Sequence, residues 1–231
     1  SAPTSEEIRS SNQEFNFNLV PESGWNKEVG IRKQFGNIIF IEGSYFDFRM
    51  QDAIVRRQNE SGQEYFANQG SITQKGVEVL LESKSFHLKN EIFNSFKFRF
   101  SGSFYDFKFR NYKQLDNDFS GNKVTGVPDT TVNSLFNFVF LKNLTVDYSH
   151  YYISKIPLND ANSVWSKSSL VGNIRLGFPI WIDRTKLNLH LQIQNLYNTD
   201  YVAGFDINAF GSRFYNPAAK RNFIFGAHVE F

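Results

Sequence analysis

The 231-residue chain contains no cysteine and a single methionine, and its charges nearly balance, with a formal net charge of +2. The missing cysteines exclude a disulfide framework and any zinc site built on thiolates. The small net charge removes the electrostatic basis for a nucleic-acid partner, which needs a clear basic excess. No apolar run is longer than about five residues, whereas a membrane helix needs 18 or more. The chain is instead 17% aromatic, and this apolar content excludes intrinsic disorder.

The mean hydropathy of −0.40 is typical of a soluble protein, but this average hides an alternation of apolar and polar residues. At the end of the chain, Phe223, Phe225, Val229 and Phe231 alternate with polar or small residues. Successive side chains of a strand point to opposite faces, so one face of this segment is apolar and the other is polar. No segment has a convincing helical period. The same alternation is clear in residues 96–104, 135–140, 144–149, 170–178 and 187–194, whereas the phase of residues 37–50 is unclear.

The alternation predicts about nine strands of 10–15 residues, which is longer than the usual strand of a soluble sheet. Short turns at one end and long loops at the other are typical of an outer-membrane β-barrel, whose long loops lie outside the cell. Tyrosine and tryptophan near the strand ends fit its aromatic girdle. A soluble β-sandwich or barrel with the apolar face as its core is the alternative. Short links are expected near residues 33–36, 84–94, 141–143 and 181–185, and long polar links near 56–70, 110–123, 157–167 and 197–219.

An odd number of strands places the two ends of the chain on opposite sides of the membrane, whereas bacterial single-chain barrels close with an even number. A nine-stranded sheet also leaves unpaired edges that lipid cannot satisfy. We therefore expect residues 1–231 to be the C-terminal part of one larger transmembrane, all-β, antiparallel up-and-down barrel. In this interpretation residues 1–21 are the remnant of an extracellular loop, residues 22–231 are strands and loops, and the C-terminus is periplasmic.

Several short motifs occur in an order that resembles the TonB-dependent outer-membrane transporters. Each motif is weak alone, but together they cover essentially the whole chain. The motifs are Pro3, Leu19-Val20-Pro21-Glu22, Glu28-Val29-Gly30, Lys75-Gly76-Val77-Glu78, Gly126-Val127-Pro128, Asn195-Leu196-Tyr197-Asn198 with Tyr201, Tyr215-Asn216-Pro217-Ala218, Arg221-Asn222-Phe223 and the terminal Phe231.

In that family a barrel of 22 strands surrounds an N-terminal plug, so the resemblance implies that this chain is the last part of the barrel, without the plug. It implies active uptake across the outer membrane of a diderm bacterium, with TonB acting through the missing plug. Outer-membrane lipid, lipopolysaccharide and the barrel-assembly machinery are the other implied partners, and a surface lipoprotein is a further candidate. Residues 156–162 and 206–211 resemble the ferric-citrate and siderophore receptor branch, which implies a ferric chelate as substrate. A glycan or vitamin importer of the same superfamily, or a structural or adhesin-like barrel without TonB coupling, is the alternative.

A ferric chelate is anionic and rich in oxygen, so arginine forks and aromatic walls can hold it without direct ligands to the metal. The candidates lie in the long loops, where an ordinary polar or aromatic loop residue is the alternative for each. Asp160, Asp206 and the asparagines beside them could bind a hard cation, but turn formation explains them better. The candidate ligand-binding residues are Arg56, Arg57, Arg110, Asn159, Asp160, Asn162, Trp165, Asp206, Asn208, Arg213 and Tyr215.

No arrangement of residues predicts catalysis, a resident metal or a cofactor. The four histidines, His87, His150, His190 and His228, are scattered and have no acid or nucleophile in register. The zinc-protease, serine-hydrolase and phosphate-loop motifs are all missing. We therefore do not expect an enzyme, and the polar-face positions of His190 and His228 favour a place in the barrel lumen.

The last strand has a second implied role. In the family, a C-terminal aromatic residue that follows alternating apolar positions resembles the signal read by the barrel-assembly machinery. Phe223, Phe225, Val229 and Phe231 supply this pattern here. The same side chains are expected to face lipid, and the two roles are compatible.

Overall fold

A computed structural model of the chain describes residues 2–9, 15–58, 62–68, 70–114, 117–141 and 143–230. Phe231 and the side chains of Arg56 and Arg57 lie outside the described part. Nine long strands form one antiparallel sheet in which each strand pairs with the next along the chain, and the short strand Phe86–His87 pairs with the start of the fourth. The long strands are β1 Ser23–Phe35, β2 Ile39–Gln51, β3 Ser71–Ser83, β4 Phe93–Asn111, β5 Thr130–Phe140, β6 Leu144–Ile153, β7 Ser169–Ile182, β8 Thr185–Gln194 and β9 Asn222–Glu230. The predicted all-β antiparallel fold and its nine long strands are confirmed.

The links between the strands alternate in length as predicted. Short links follow β1, β3, β5 and β7, and long loops follow β2, β4, β6 and β8. We name the long loops loop A (52–70), loop B (112–129), loop C (154–168) and loop D (195–221). The described part of the chain also contains strand pairs inside three of these loops and two short helical segments: Ile54–Gln58 with Glu64–Asn68, Lys113–Gln114 with Asn117–Asp118, Val202–Phe205 with Tyr215–Pro217, the helix Ser5–Ile8 and the 3₁₀ turn Phe210–Ser212.

The register brings the apolar residues of neighbouring strands onto one face, which we call the apolar face. Between β8 and β9, Leu191 lies opposite Phe225 and Leu187 lies opposite Val229. On the other side of the sheet, the polar face, Asn188 lies opposite His228. Because residues directly opposite each other on paired strands share a face, the alternation within each strand becomes a continuous property of the sheet.

The two faces exchange character toward the long-loop end of β2–β4. The last apolar row on the apolar face is Val29, Tyr45, Val77 and Phe104, which lie opposite one another in β1–β4. Two residues further along each strand, the same face carries charged side chains, and no register shift separates the two rows. The other face of β2–β4 becomes apolar at this height. This exchange explains why residues 37–50 show no single phase in the sequence.

Most buried hydrophobic residues lie at the long-loop end of the sheet, in two clusters. The first loop core consists of Ala53, Ile72, Phe109 and Tyr112, with Met50, Phe119 and Val124 packed against it. The second loop core consists of Ile156, Leu158 and Phe214, with Ile153, Val164, Phe205 and Ala209 packed against it. The long loops are therefore folded onto the end of the sheet and onto each other.

Gly76 provides the space for an aromatic cluster beneath the first loop core. The rings of Phe46 and Tyr105 lie 6.0 Å apart, and the Tyr105 and Phe107 rings are 4.8 Å apart. A Cβ atom at Gly76 would come within 2.7 Å of ring atoms of both Phe46 and Tyr105. A glycine is therefore needed at this point of β3.

Candidate functional site

Loops B, C and D meet at the side chain of Asp160, which is 9% exposed. Its carboxylate accepts hydrogen bonds of 2.5 Å from the hydroxyls of Tyr112 and Thr125 in loop B. The amide of Asn208 in loop D donates to the same carboxylate at 3.1 Å, and the side-chain oxygen of Asn208 accepts from the backbone N–H of Asp160 at 3.0 Å. Hydrogen bonds to a charged acceptor are stronger than neutral ones, so this cluster fixes the three loops together.

Asn162 joins loop C to loop B through a second set of contacts. Its side-chain oxygen accepts from the backbone N–H of Lys123 at 2.8 Å, and its amide donates to the carbonyl of Lys123 at 3.0 Å. The φ angle of Asn162 is +53°, a left-handed conformation that asparagine tolerates better than most residues. Asn208 also has a positive φ, of 51°, and its N–H donates to the carbonyl of Leu158 at 2.8 Å. The asparagines of this region therefore set loop geometry.

A cleft of about 490 Å³ lies beside the Asp160 cluster. All four long loops contribute to it, and Ile72 of β3 and Phe109 of β4 form an apolar part of its wall. Polar groups converge from Tyr112, Thr125 and Asp160. A concave site with a mostly apolar wall and a few fixed polar groups is the usual form of a small-molecule site. Its main polar and apolar lining residues are Ile54, Phe119, Val124, Asn159, Asp160 and Asn208.

A second cleft, of about 650 Å³, lies between β6, loop C and the strand pair of loop D. Its wall is aromatic, with Tyr151, Tyr201 and Phe205 contributing together with Tyr215. Lys167 lies at its edge and is exposed. This cleft brings a cation, the carboxylate of Asp200 and several aromatic side chains to one place.

The candidate arginines are not gathered in either cleft. Arg110 is exposed at the end of β4, beside the irregularity where Ile72 pairs with Phe109 and Ser71 pairs with Asn111. Arg213 is exposed in loop D, after the 3₁₀ turn. Arg56 and Arg57 lie in the strand pair of loop A, next to Val55, which lines the first cleft.

The other candidates lie in loops C and D with identifiable contacts. Asn159 and Asn208 line the first cleft, where the Asn159 side chain also accepts from the backbone N–H of Ser163 at 3.0 Å. Trp165 donates from its indole N–H to the carbonyl of Asn162 at 2.7 Å, and the Lys155 ammonium lies 4.7 Å from the Trp165 ring centroid. Tyr215 is half exposed and lines the second cleft, with its ring 6.0 Å from that of Phe205. Asp206 is exposed and accepts a hydrogen bond of 3.3 Å from Asn216.

Sequence reasoning misses the partners that hold Asp160. Tyr112, Thr125 and Asn122 contact Asp160, yet none is among the sequence-based candidates. The hydroxyl of Tyr112 lies 48 positions before Asp160 in the chain, and Thr125 lies 35 positions before it. Such pairs have no local pattern, because only the packing of the loops brings them together.

The described residues contain no group of three or more His, Asp or Glu side chains placed to hold a metal ion. Within the same ranges, no helix is long and apolar enough to span a membrane.

Comparison with known proteins identifies the class. The β-barrel family of TonB-dependent receptor-like proteins matches residues 1–196. The chain therefore belongs to this family, whose members are outer-membrane β-barrel transporters, and the predicted resemblance is confirmed.

Solved receptors share the fold. The siderophore receptor PiuA from Acinetobacter baumannii is 19% identical with a TM-score of 0.71, and the match covers 93% of this chain and 30% of PiuA. The ferric-catecholate import receptor Fiu from E. coli K12 is 16% identical with a TM-score of 0.68, covering 98% of this chain and 30% of Fiu. The copper transporter OprC is 15% identical, also at 0.68, covering 98% and 35%. The chain thus spans about 30% of the length of the first two receptors, and at these identities the likeness shows the fold alone.

Proposed function

We propose that this chain supplies the C-terminal wall and four extracellular loops of an outer-membrane receptor that takes up a ferric siderophore or a similar iron chelate. The observation that carries the proposal is the position of the two clefts. Both are built by long loops folded onto one end of a sheet whose other face carries an apolar band below the height of the loops. A small molecule that arrives at the loop end meets these clefts before it meets the polar wall below.

The clefts lie on the side of the polar face, which is the lumen side in the proposed barrel. Ile72 and Phe109 reach the first cleft from the polar face of β3 and β4, and Tyr151 and Ile153 reach the second from the polar face of β6. The apolar face provides the surface that lipid covers in a transmembrane barrel. This separation of a lipid side from a ligand side is what an uptake receptor requires.

The second cleft has the better chemistry for a ferric chelate. Its aromatic walls can stack against planar organic groups, and Lys167 can attract a negative charge. The first cleft offers hydroxyl, amide and carboxylate groups in fixed positions, which suit a hydroxyl-rich part of a ligand. The candidate arginines of loops A and D are proposed to contact the ligand from the rims of the loops.

The proposal places the remaining strands of the barrel, the plug and the contact with TonB outside residues 1–231. Among the described residues, β1 and β9 each pair with one neighbour, so both edges of the sheet are open. Backbone groups at an open edge cannot be left unsatisfied in lipid, which supports further strands beside β1 and β9. A periplasmic C-terminus follows if the four long loops are extracellular, because β9 then runs from loop D toward the short-turn side.

Uptake of labelled iron in cells with and without the gene tests the proposed function. We expect loss of the gene to abolish growth and ⁵⁵Fe uptake on at least one ferric chelate in a panel of catecholate, hydroxamate and citrate complexes. Dissipating the proton gradient should stop uptake in the wild type. If loss of the gene instead reduced the uptake of copper, a glycan or a vitamin and left iron uptake unchanged, that compound would replace the proposed substrate. If loss of the gene changed the uptake of none of these compounds, a transport role would be contradicted.

Expression of residues 1–231 alone tests the proposed place in a larger barrel. We expect the isolated chain in detergent to give no heat-modifiable, protease-resistant monomer, whereas the full receptor should give one. A stable, heat-modifiable monomer of the isolated chain would contradict this part of the proposal.

A further inference from the structure

Two tyrosines and a histidine converge on one point of the wall, where loop D leaves β8. Tyr148 and His150 lie two positions apart on β6, so their side chains share a face. The hydroxyl of Tyr197, in loop D, contacts both the Tyr148 hydroxyl and Nε2 of His150. The Tyr148 hydroxyl lies 2.5 Å from the same Nε2 atom. We call these three residues the tyrosine–histidine cluster. The sequence hides it, because Tyr197 lies 47 positions after His150.

The cluster lies on the apolar face, at the upper rim of the wall. Tyr148 lies opposite Ile174 of β7, which pairs with Ile193 on the apolar face. His150 lies opposite Gly172, two positions further toward the long loops, where β7 has run past the end of β8. The loop D member of the cluster is 42% exposed. Small solutes can therefore reach the three polar atoms from the loop end of the wall.

Gly172 makes room for the Tyr197 side chain directly over β7. A Cβ atom at position 172 would come within 2.7 Å of the Tyr197 ring and 3.1 Å of its hydroxyl. The backbone is held at the same place, because the N–H of Leu196 donates to the carbonyl of Gly172 at 2.7 Å. The hydroxyl of Thr199 also donates to the carbonyl of Leu170 at 2.8 Å. The position of the Tyr197 hydroxyl is therefore fixed by the fold around it.

Hydrogen bonds alone cannot satisfy all three contacts of the cluster. A hydroxyl has one proton, and a neutral imidazole nitrogen either accepts one proton or donates one. Linear hydrogen bonds therefore account for two sides of the triangle, and on the third side two lone pairs face each other. In the metal-free protein the two bonds hold Tyr148, His150 and Tyr197 together. A cation at the centre turns the convergent lone pairs into ligands.

Two phenol oxygens and one imidazole nitrogen form a ligand set for a transition metal. Imidazole suits several such metals, and a phenolate is a hard, anionic oxygen donor. A phenol with a pKa of about 10 gives up its proton at neutral pH only to a strongly polarising ion, which favours a trivalent metal over a divalent one. Neighbouring ligands at about 2.0 Å from an octahedral ion are about 2.8 Å apart, so the three donors need to separate by about half an ångström or less.

We propose that the tyrosine–histidine cluster is a site for one ferric ion, bound by the phenolates of Tyr148 and Tyr197 and by Nε2 of His150. The ion replaces the two phenol protons, which pass to water, and solvent supplies its remaining ligands. No electron is transferred. The site lies on the opposite face of the sheet from both clefts, so the ion is a fixed one and not the transported iron. It joins loop D to β6 four residues before Tyr201, which lines the second cleft.

Visible absorption and resonance Raman spectra of the full receptor in detergent test the site. The probe is Fe(III) added as its nitrilotriacetate complex. We expect the wild type to show a phenolate-to-iron charge-transfer band with enhanced phenolate vibrations, and Tyr148→Phe/Tyr197→Phe to show neither. Each single substitution should weaken iron binding at least about 100-fold, because even residues behind the ligands change metal affinity about 10–100-fold. A wild type without the band, or a double variant with the full band, would overturn the proposal.

Two neighbouring tyrosines of β6 provide matched controls. Tyr152 shares the face of the cluster, and Tyr151 lies on the other face and lines the second cleft. We expect Tyr151→Phe and Tyr152→Phe to keep the band at full intensity. If Tyr151→Phe abolished the band and Tyr148→Phe/Tyr197→Phe retained it, the iron would lie in the second cleft and the proposed site would be wrong.

Two further measurements separate iron binding from the folding of the variants. Gly172→Ala retains all three donors but displaces Tyr197, and it should weaken iron binding about 10-fold or more. In the wild type, Fe(III) should slow hydrogen exchange in residues 195–199, because the ion ties them to β6. Heat-modifiability reports whether each variant is folded. Exchange that does not respond to Fe(III) in the wild type would overturn the proposal without any variant.

The ferric site stands or falls independently of the transported substrate. If loss of the gene changes no uptake, but the wild type shows the band and the double variant does not, the proposed function fails and the ferric site stands. If uptake of an iron chelate is confirmed and the wild type shows no band, the ferric site fails alone.

Discussion

The phenolic hydroxyl of Tyr112 donates a hydrogen bond of 2.5 Å to the buried carboxylate of Asp160, and this bond ties loop B to loop C. Thr125 and Asn208 donate to the same carboxylate from either side. Loops B, C and D are therefore connected to one another, and we call these connected loops the loop platform. Asp160 holds this platform together whether or not it touches a ligand.

Asp160→Asn should loosen the loop platform. The substitution keeps the size of the side chain but removes the charge and one acceptor from the Tyr112 and Thr125 hydroxyls, at a cost of about 1–3 kcal/mol for buried polar groups left unsatisfied. We expect faster hydrogen exchange in loops B, C and D. Asp206→Asn is the matched control, because Asp206 is exposed and its carboxylate accepts a weak hydrogen bond of 3.3 Å from Asn216. Unchanged hydrogen exchange in the Asp160 variant would contradict the role of Asp160 in holding loops B, C and D together.

Gly76→Ala should destabilise the barrel wall at β3. The added Cβ would come within 2.7 Å of Phe46 and Tyr105, and such overpacking costs about 1–3 kcal/mol. Gly43→Ala is the control, because its Cβ would meet neighbours at 3.7 Å or more. The heat-modification temperature of the full receptor measures both. Phe46→Leu should partly restore the Gly76 variant, and equal temperatures for Gly76→Ala and Gly43→Ala would refute the packing explanation.

Tyr197 should make the stability of the receptor depend on alkaline pH. Its hydroxyl, in loop D, is hydrogen-bonded to Tyr148 and His150, and burial together with the Tyr148 hydrogen bond raises the pKa of Tyr197 to about 12. A free tyrosine has a pKa of about 10. The neutral hydroxyl therefore stabilises the fold fully below about pH 10, and this contribution is lost as the pH rises toward 12. The free energy of unfolding of Tyr197→Phe should change less with pH across this range than that of the wild type. Identical pH profiles for the two proteins would contradict this contribution of the Tyr197 hydroxyl.

Deletion of Phe231 in the full receptor should lower the amount assembled in the outer membrane. Phe223, Phe225 and Val229 lie on the apolar face of β9, opposite Ile193, Leu191 and Leu187, so the described part of the strand has the alternation that the assembly signal requires. Replacing Phe231 with Tyr should preserve assembly, because an aromatic residue is retained. Outer-membrane levels measured by immunoblot that do not change on deletion would contradict the signal role.

The sequence predicts the wall of this protein far better than its loops. A strand that faces lipid on one side and a polar lumen on the other alternates residue by residue, so Leu187–Ile193 and Phe223–Val229 reveal their faces locally. The alternating loop lengths are equally visible. The exchange of faces in β2–β4 is not visible in the sequence. Each of these strands is apolar on one face near the short-turn end and on the other face near the long-loop end. Apolar residues therefore fall at both odd and even positions, as they do in residues 37–50, and no single alternation can be recognised.

In the candidate site the sequence reveals some of the residues but not the contacts between them. Asp160, Asn162 and Asn208 are recognisable as loop residues with polar side chains, and turn geometry accounts for the positive φ of two of them. Their partners Tyr112, Thr125 and Lys123 come from another loop, and no spacing in the sequence marks such a contact. The charged row of Lys27, Asp47 and Lys75 is hidden for the same reason, because these residues become neighbours only through the register of three strands.

Surface labelling of single cysteines tests the central claim, an outer-membrane barrel wall with its four long loops outside the cell, most directly. The chain has no cysteine of its own, so Arg213→Cys in loop D and Asp183→Cys in the turn between β7 and β8 each introduce one reporter into the full receptor. We predict that a membrane-impermeant maleimide labels Arg213→Cys in intact cells and labels Asp183→Cys only after the outer membrane is permeabilised. Labelling of Asp183→Cys in intact cells, with Arg213→Cys protected, would contradict the account.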